Sequence, residues 1–251
     1  MGVPFLMSFV GMEKILGWEP RAPIVAKCDR RRILSSWAPF CGDIIPKEYN
    51  VEFSRVRNLS PQQFVEKLAK ELGVRGVVAG QNYRFGYRAA GNASDLVRLC
   101  KEYGMSSCII NCVMDKNKES IDIGSSNSKD QGQVSSSRVR LALANGDMKY
   151  VSDLLGRPHR LILTVENKEM FVRDGKRISA RRSCLLNLPP KEGEYKNCSV
   201  VIIGDENVVP CRVIIDATDI HLELDGLAPH KDIITAQNSE LLGIDFGHAQ
   251  V

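Results

Sequence analysis

The alternation of capped helices with short apolar strands between residues 4 and 160 is the feature that most constrains the fold of this chain. Ser60 and Asn92 are capping residues that begin two of the helices. Apolar runs at 74–79 and 108–113 follow these helices and are expected to be buried strands. Regular helix–strand alternation predicts an α/β fold with a mostly parallel, doubly wound sheet, which binds ligands beyond the carboxyl ends of its strands.

Other segments of the N-terminal part are interpreted from their periodicity. The apolar stretch Pro4–Met12 is predicted to be a buried helix, and Ala22–Ala26 to be a short buried strand. Asp29–Trp37 is predicted to be a basic helix. Two further short helices are expected at 136–145 and 147–155, each followed by a glycine.

After Leu161 the pattern changes to strands, which predicts a small β-barrel-like domain at about residues 160–230. Arg157-Pro158 is the expected junction, so that the domains would be 1–157 and 158–251. Three further features are expected: strands 161–165 and 170–172 that pair with each other, strands 199–203 and 208–215 that flank a hairpin signal at 204–207, and a loose tail with an apolar turn at Leu241-Leu242.

Charge and composition exclude several classes of function. The net charge is only +4 and no long Lys/Arg block occurs, so a nucleic-acid partner is not expected. No stretch approaches the length of a membrane span. None of the eight cysteines forms a Cys-x-x-Cys pair, and Cys108 and Cys112 are expected to be buried thiols on one strand face. No metal site is therefore predicted.

The segment from Gly80 to Gly86 is the first candidate for ligand binding. Its two glycines allow a ligand to approach the backbone closely, and Asn82 can both donate and accept hydrogen bonds. Tyr83 and Phe85 offer flat faces that suit a ring system. The alternative is a glycine-bounded turn whose aromatic rings belong to the core.

The segment Val134–Arg140 is the second candidate, and it is expected to supply the other half of a nucleotide-phosphate site. Ser135, Ser136 and Ser137 stand at a helix start, where free N–H groups and the helix dipole favour an anion. Arg138 and Arg140 point to different faces of the helix, so only one can easily reach the same phosphate, and Arg140 is the preferred one. The alternative is ordinary N-capping with surface arginines.

Three motifs in order resemble prokaryotic-type FAD synthetases. Val77–Gly86 resembles that family's Gly-x-Asn/Asp-Phe-x-Phe-Gly motif, Val134–Arg140 its Ile-Ser-Ser-Thr-x-Ile-Arg motif, and Gly156–Leu161 its Gly-Arg-Pro-Tyr-x-Leu junction into a C-terminal barrel. The N-terminal part is similar to the plant, plastid-targeted branch. The resemblance implies a Rossmann-like nucleotidyltransferase domain followed by a riboflavin-kinase-like β-barrel.

The resemblance also implies a reaction, substrates and site residues. The FMN phosphate would attack the α-phosphate of ATP, with Mg²⁺ offsetting charge, to give FAD and pyrophosphate. Asn82 would lie beside the flavin, while Ser136, Ser137 and Arg140 would hold ATP phosphates. The partners are thus small nucleotides and flavins, without nucleic acid or membrane. The full set of binding residues implied by the motifs is Gly80, Asn82, Tyr83, Arg84, Phe85, Gly86, Ser135, Ser136, Ser137, Arg138 and Arg140.

The chain departs from this family at two places. Its four histidines form no His-x-Gly-His loop, so we expect the family's first strand, that loop and the next helix to be missing, and no catalytic residue is identified. At the barrel's Pro-Thr-Ala-Asn motif stands Cys184-Leu185-Leu186-Asn187, and Asp219 stands where the kinase has Glu. Because leucine cannot ligate Mg·ATP, riboflavin kinase activity is not expected.

Two other functions and two compartments stay open at this point. The chain could be an inactive flavin- or nucleotide-binding isoform, or an adenylyltransferase for phosphopantetheine or nicotinamide mononucleotide. The barrel and the Gly-Arg-Pro junction argue against the latter. The resemblance implies the plastid stroma, although the N-terminus shows no transit peptide, which leaves the cytoplasm possible. The oligomeric state is not predicted.

Overall fold

The chain divides into two compact units. A computed structural model describes residues 2–116, 132–164, 171–173, 177–203, 208–224 and 241–247. Unit 1 comprises Met1–Pro20 and Arg31–Gln133, and unit 2 comprises Arg21–Arg30 and Val134–Val251. The boundary between the units at Gln133 lies before the predicted domain junction at Arg157-Pro158. The assignment of domains to 1–157 and 158–251 stays a prediction.

Seven α-helices occur among the described residues. They are α1 (Met12–Leu16), α2 (Arg30–Ser35), α3 (Phe53–Val56), α4 (Pro61–Lys70), α5 (Ala93–Glu102), α6 (Ser136–Asn145) and α7 (Met148–Leu155). Ser60 and Asn92 each complete a capping box, with Gln63 and Asp95 respectively, so both predicted helix starts are confirmed. The helices expected at 29–37, 136–145 and 147–155 are also present, the first with shorter bounds.

The strands of unit 1 form two separate parallel pairs. Strand β1 (Phe5–Val10) pairs with β2 (Lys47–Glu52), and β3 (Gly76–Gly80) pairs with β4 (Ser106–Ile110). The helix predicted at Pro4–Met12 is wrong, because this run is strand β1. An apolar run of this length does not distinguish a strand from a buried helix, and here the backbone hydrogen bonds come from β2.

Both strand pairs of unit 1 contribute side chains to one core. Phe9 of β1 and Val77 of β3 pack against a cluster built on α4 and α5, whose most buried members are Val65, Leu96 and Cys100. The doubly wound expectation is thus met in part: the unit is α/β and its strand pairs are parallel.

Two predictions for short apolar runs are wrong. Ala22–Ala26 is not a strand but an irregular segment, whose carbonyls accept hydrogen bonds from Arg140, Leu188 and Asn187. The strand predicted at 108–113 lies earlier, at β4, and Cys108 on it is exposed. Cys112 lies beyond the strand and is half-buried, so the two thiols are not a buried pair.

Unit 2 contains one seven-stranded antiparallel sheet. Its strands are β5 (Arg160–Thr164), β6 (Phe171–Arg173), β7 (Arg177–Arg181), β8 (Gly193–Ile202), β9 (Val208–Ile215), β10 (Asp219–Leu224) and β11 (Leu241–Phe246). The order across the sheet is β5-β11-β8-β9-β10-β7-β6. The predicted pairing of β8 with β9 is confirmed, while its turn at 204–207 lies outside the described residues.

Two expectations for this sheet are wrong. The apolar tail is strand β11, which lies between β5 and β8 and buries Leu242, Ile244 and Phe246. Strand β5 does not pair with β6. It pairs with β11 instead, and β6 pairs with β7. The alternation of buried and half-exposed residues along β9 and β10 puts one face of the sheet on the core.

His159 is a buried neutral group of unit 2. Its Nε2 lies 3.1 Å from the Leu188 carbonyl oxygen, so Nε2–H donates there. Burial, opposed by this hydrogen bond, lowers the pKa of His159 to about 4. The ring lies against Phe246, with centroids 6.1 Å apart.

The lowered pKa of His159 predicts a loss of stability with acid. Between pH 6.5 and 4 His159 binds a proton in the unfolded chain but stays neutral in the folded chain. The free energy of unfolding therefore falls as pH falls. From pH 7 to 5 the wild-type chain should lose about 2 kcal/mol more than His159→Phe, which has no group to titrate. Urea unfolding of both proteins across this range measures the difference, and parallel pH curves would contradict the prediction.

No helix among the described residues has both the length and the apolar character needed to cross a membrane.

Candidate functional site

The loop after β3 is folded by its own backbone and by core packing. Phe85 and Gly91 form an antiparallel bridge that closes the loop. Gly86 has φ +76°, and a Cβ there would lie 2.8 Å from Pro61, so both the conformation and the space require glycine. The loop is therefore held against the start of α4.

The aromatic residues of this loop divide between core and surface. Phe85 is buried against Phe64, with ring centroids 5.8 Å apart. Tyr83 stacks on Phe85 at 5.7 Å and stays half-buried, and burial raises the pKa of its phenol, which is thus neutral. Phe85 accordingly follows the alternative weighed from the sequence, a core ring, whereas Tyr83 still presents part of its surface.

Arg84 stabilises the tip of the loop. Its Nε and Nη2 donate to the Ala89 carbonyl oxygen at 3.0 and 2.7 Å. Arg88 and Ala89 have φ of 53° and 57°, in the left-handed region that non-glycine residues rarely adopt. A guanidinium that clamps this turn offsets some of the backbone strain, which costs of the order of 1 kcal/mol per residue.

Asn82 lies in a small polar cluster that joins three parts of unit 1. Its Nδ2 donates to Cys112 Sγ and to Gln133 Oε1, both at 3.2 Å. Gln81 Nε2 donates to the same sulfur at 3.2 Å. These contacts hold the Asn82 side chain at the carboxyl end of β3, where a parallel sheet binds ligands. Cys112 and Gln133 were not identified from the sequence, since no pattern relates residues 30 and 51 positions away.

The start of α6 has one capping serine and two exposed ones. Ser135 is the N-cap, and its Oγ accepts from the Arg138 N–H at 3.3 Å. Ser136 and Ser137 occupy the first two helical positions and are exposed. Ser135 therefore has a capping role, while Ser136 and Ser137 lie on the exposed surface of the helix start.

The two arginines of α6 are in different environments, as their spacing predicts. Arg138 is buried, and its Nη1 lies 3.4 Å from the Tyr150 hydroxyl. Arg140 is half-exposed, and its Nη1 donates to the Ala22 carbonyl oxygen at 2.8 Å. Of the two, Arg140 is the one whose guanidinium lines a cavity, of about 440 Å³, in unit 2.

The positions that correspond to the kinase motif have structural contacts. Asn187 is buried, and its side chain bonds to the backbone of Ile24, Arg160 and Ile162. Cys184 is buried, and Leu185 packs against the core of the sheet. Asn187 therefore stabilises the fold by hydrogen bonding to three backbone groups. The sequence did not predict this role, because the three partners are distant in sequence.

A chain of hydrogen bonds links Ser179, His221 and Asp216 across β7 and β10. Ser179 Oγ lies 2.7 Å from His221 Nδ1, and His221 Nε2 lies 3.1 Å from Asp216 Oδ2. Backbone N–H groups of Asp219 and Thr218 lower the pKa of Asp216 to about 2. The Asp219 carboxylate accepts from the Thr218 hydroxyl at 2.7 Å. Among the described residues, no group of His, Cys, Asp and Glu side chains is arranged to hold a metal ion.

Two family sequence models and two plant relatives point to one family. A family sequence model described as FAD synthetase matches residues 43–127, and one described as FAD synthetase 1/2, C-terminal domain, matches residues 158–249. The chain is 57% identical over 247 residues to FAD synthetase 2, chloroplastic, of Arabidopsis thaliana, covering 98% of this chain and 66% of that protein. It is 56% identical over 249 residues to FAD synthetase 1, chloroplastic, of the same plant, covering 98% and 70%.

More distant similarities add a bacterial relative and a solved structure. A bifunctional riboflavin kinase/FMN adenylyltransferase of Buchnera aphidicola is 28% identical over 149 residues, covering 59% of this chain and 43% of that protein. A macrolide-efflux protein from Streptococcus pneumoniae has a similar structure, with TM-score 0.65 and 20% identity, covering 99% of this chain and 76% of that one. At that identity the likeness concerns the fold alone. The chain spans about two thirds of the length of its plant relatives.

Proposed function

Because this chain belongs to the FAD synthetase family, we propose that it transfers AMP from ATP to FMN and releases FAD and pyrophosphate. The observation that carries this proposal is the identity of 56–57% to two FAD synthetases over 98% of the chain. Both ligand-binding segments lie within that span. The substrates are ATP and FMN, and the chloroplastic relatives favour the plastid stroma as its location.

The loop after β3 is proposed to bind the flavin. Asn82 donates through Nδ2 to Cys112 and Gln133, which leaves its Oδ1 directed away from those partners and available to an N–H or hydroxyl of the ligand. The half-buried Tyr83 ring offers a flat apolar surface beside it. Gly80 has open space where a side chain would stand, so the ligand can approach its backbone, while Gly86 packs the loop on Pro61 and Arg84 keeps the loop in place.

The start of α6 is proposed to bind the phosphates of ATP. Ser136 and Ser137 present hydroxyls and backbone donors there, and Arg140 contributes the positive charge. Arg138 supports the helix from the interior. Binding both substrates in reactive orientation is the main contribution a protein makes to such a transfer, since the phosphate of FMN is itself the nucleophile.

The family implies Mg²⁺, so the side chains at the start of α6 are compared with the ligands that this ion prefers. Mg²⁺ prefers carboxylate and phosphate oxygens in octahedral geometry. The described residues at the start of α6 offer hydroxyls and a guanidinium but no carboxylate, a set that fits phosphate oxygens rather than the ion. We therefore propose that Mg²⁺ enters with ATP.

We also propose that the two strand pairs of unit 1 belong to one Rossmann-like sheet. Both pairs place side chains in the same core on one face. On the opposite face Val78 and Ile110 are 71% and 49% exposed, although parallel sheets are ordinarily covered on both faces. A Rossmann-like sheet carries helices on both faces, so Val78 and Ile110 mark the face that a second helical layer would cover. Unit 2 is proposed to be the corresponding riboflavin-kinase-like β-barrel.

An inactive flavin- or nucleotide-binding isoform is the second candidate. It requires only the two ligand-binding segments, and both lie among the described residues. In this case the loop after β3 and the start of α6 would retain their ligands without transfer. Direct measurement of FAD separates the two candidates.

The experiment is incubation of the chain with FMN, MgATP and pyrophosphatase, followed by chromatography for FAD. We expect FAD to form, and binding of FMN without FAD would favour the inactive isoform. In a parallel incubation with riboflavin in place of FMN, no FMN should form, because Leu185 cannot ligate Mg·ATP and Asn187 is occupied by backbone groups. Production of FMN would contradict the absence of kinase activity.

A further inference from the structure

The cavity that Arg140 lines in unit 2 has more basic residues than the family motif accounts for. It measures about 440 Å³ and lies between α6 and the segment Leu188–Glu192. Arg182, at the end of β7, and Lys191 also line it. Its volume is within the range of small-molecule sites.

The wall of this cavity is held by the backbone before any ligand binds. The Leu188 N–H donates to the Pro23 carbonyl oxygen, and the Lys191 N–H donates to the Leu143 carbonyl oxygen, both at 2.8 Å. The Tyr195 hydroxyl donates to the Lys191 carbonyl oxygen at 2.6 Å. Two consecutive prolines, Pro189 and Pro190, restrict the backbone between these anchors. Ligand binding would therefore cost little ordering of the chain.

The charges that line the cavity favour an anion of high charge. Arg140, Arg182 and Lys191 oppose the single carboxylate of Glu192, which leaves a surplus of two positive charges. Arg182 Nη1 contacts Glu192 Oε1 at 3.0 Å and the Asp216 carbonyl oxygen at 2.9 Å. Each guanidinium has five N–H donors, so these contacts orient the group and leave further donors for a ligand.

We propose that this cavity binds a polyphosphate anion, with Arg182 and Lys191 as phosphate ligands beside Arg140. The inference deepens the proposed function and rests on it for the source of the anion, which would be the phosphate chain of ATP or the pyrophosphate released from it. Leu188 and the two prolines form an apolar wall on one side of the charges, and an apolar surrounding of lower polarity strengthens the attraction of these charges for phosphate. Glu192 competes with the ligand for Arg182.

The test is titration of the full chain with inorganic pyrophosphate in a calorimeter, without flavin. Lys191→Gln and Arg182→Gln should each weaken binding roughly tenfold, because each removes one charge-assisted contact. Lys196→Gln is the matched control, since this lysine is exposed on β8, pairs with Glu194 and is not among the residues that line the cavity. It should change the dissociation constant by less than about twofold, as expected for an exposed pair.

A substitution of Glu192 distinguishes a ligand site from a structural ion pair, because the two predict different changes in the affinity for pyrophosphate. Glu192→Gln removes the competing carboxylate, so pyrophosphate should bind several-fold more tightly, whereas a purely structural pair predicts no gain. No binding of pyrophosphate, or equal binding by wild type, Lys191→Gln and Lys196→Gln, would overturn the proposal. FAD formation is assayed separately from pyrophosphate binding. If the chain makes FAD but the variants do not show these changes in pyrophosphate binding, only the proposed anion site is refuted. If the chain binds pyrophosphate in the cavity but makes no FAD, only the proposed AMP transfer is refuted.

Discussion

Replacing Asn187 with leucine is expected to destabilise unit 2 by about 3–5 kcal/mol, because one buried and two partly buried backbone groups lose their partner. Asn187 Oδ1 accepts from the Ile162 N–H at 2.8 Å, and Nδ2 donates to the carbonyl oxygens of Ile24 and Arg160, both at 2.9 Å. A leucine of similar size fills the space but satisfies none of the three. Each unsatisfied buried group costs about 1–3 kcal/mol.

The measurement is urea unfolding followed by far-ultraviolet circular dichroism, with tryptophan fluorescence as a second signal. Both tryptophans, Trp18 and Trp37, belong to unit 1, so fluorescence reports a unit that the substitution does not touch. Leu186→Ala is the control, because this neighbouring side chain is 37% exposed and should cost about 1 kcal/mol or less. A loss below about 1 kcal/mol for Asn187→Leu would mean that water replaces the amide.

Replacing Asn82 with alanine is expected to weaken FMN binding and to lower FAD formation by about 10- to 100-fold. The substitution removes the proposed ligand contact and also the amide that joins Cys112 to Gln133. Leaving the ligand's donor without its partner costs about 1–3 kcal/mol, which corresponds to this range. KM for FMN should rise, while KM for ATP should change little because the phosphates of ATP are proposed to bind at α6.

FMN binding is followed by the change in flavin fluorescence, so that the result does not depend on turnover. Gln81→Ala is the matched control, since Gln81 donates to the same Cys112 sulfur but is not assigned to the ligand. It should alter FMN affinity by less than about threefold, as expected when one exposed neutral hydrogen bond is lost. Normal FMN binding by Asn82→Ala would remove Asn82 from the site, and an equal loss in both variants would reduce its role to support of the loop.

Local signals in the sequence predicted the helices of this protein well. Ser60 and Asn92 cap α4 and α5 with the residues expected, because a capping box lies within four residues of the chain. The two short helices after residue 135 were predicted together with the glycine that follows each of them, which is also a local signal. Helical spacing alone also predicted that Arg138 and Arg140 point to different faces of α6. In the structure Arg138 is buried and Arg140 is half-exposed.

Short apolar runs were predicted poorly, since their meaning depends on distant partners. Phe5–Val10 was expected to be a helix but is a strand because it pairs with β2, some 40 residues later. Leu241–Phe246 was expected to be a loose tail but is an inner strand, because β5 and β8 leave a place between them. In both cases a run of five or six apolar residues is compatible with more than one structure.

The sequence by itself determined the α/β organisation of the first part, the strand-rich character of the second, and the two segments proposed to bind flavin and phosphate, because these depend on caps, periodicity and motifs within a few residues. Only the tertiary structure decided that Asn82 is held by Cys112 and Gln133, that Asn187 supports three backbone segments, and that Arg182 and Lys191 share a cavity with Arg140. The physical reason is that hydrogen bonds and charge clusters form between groups close in space, and no local pattern encodes which distant residues will meet.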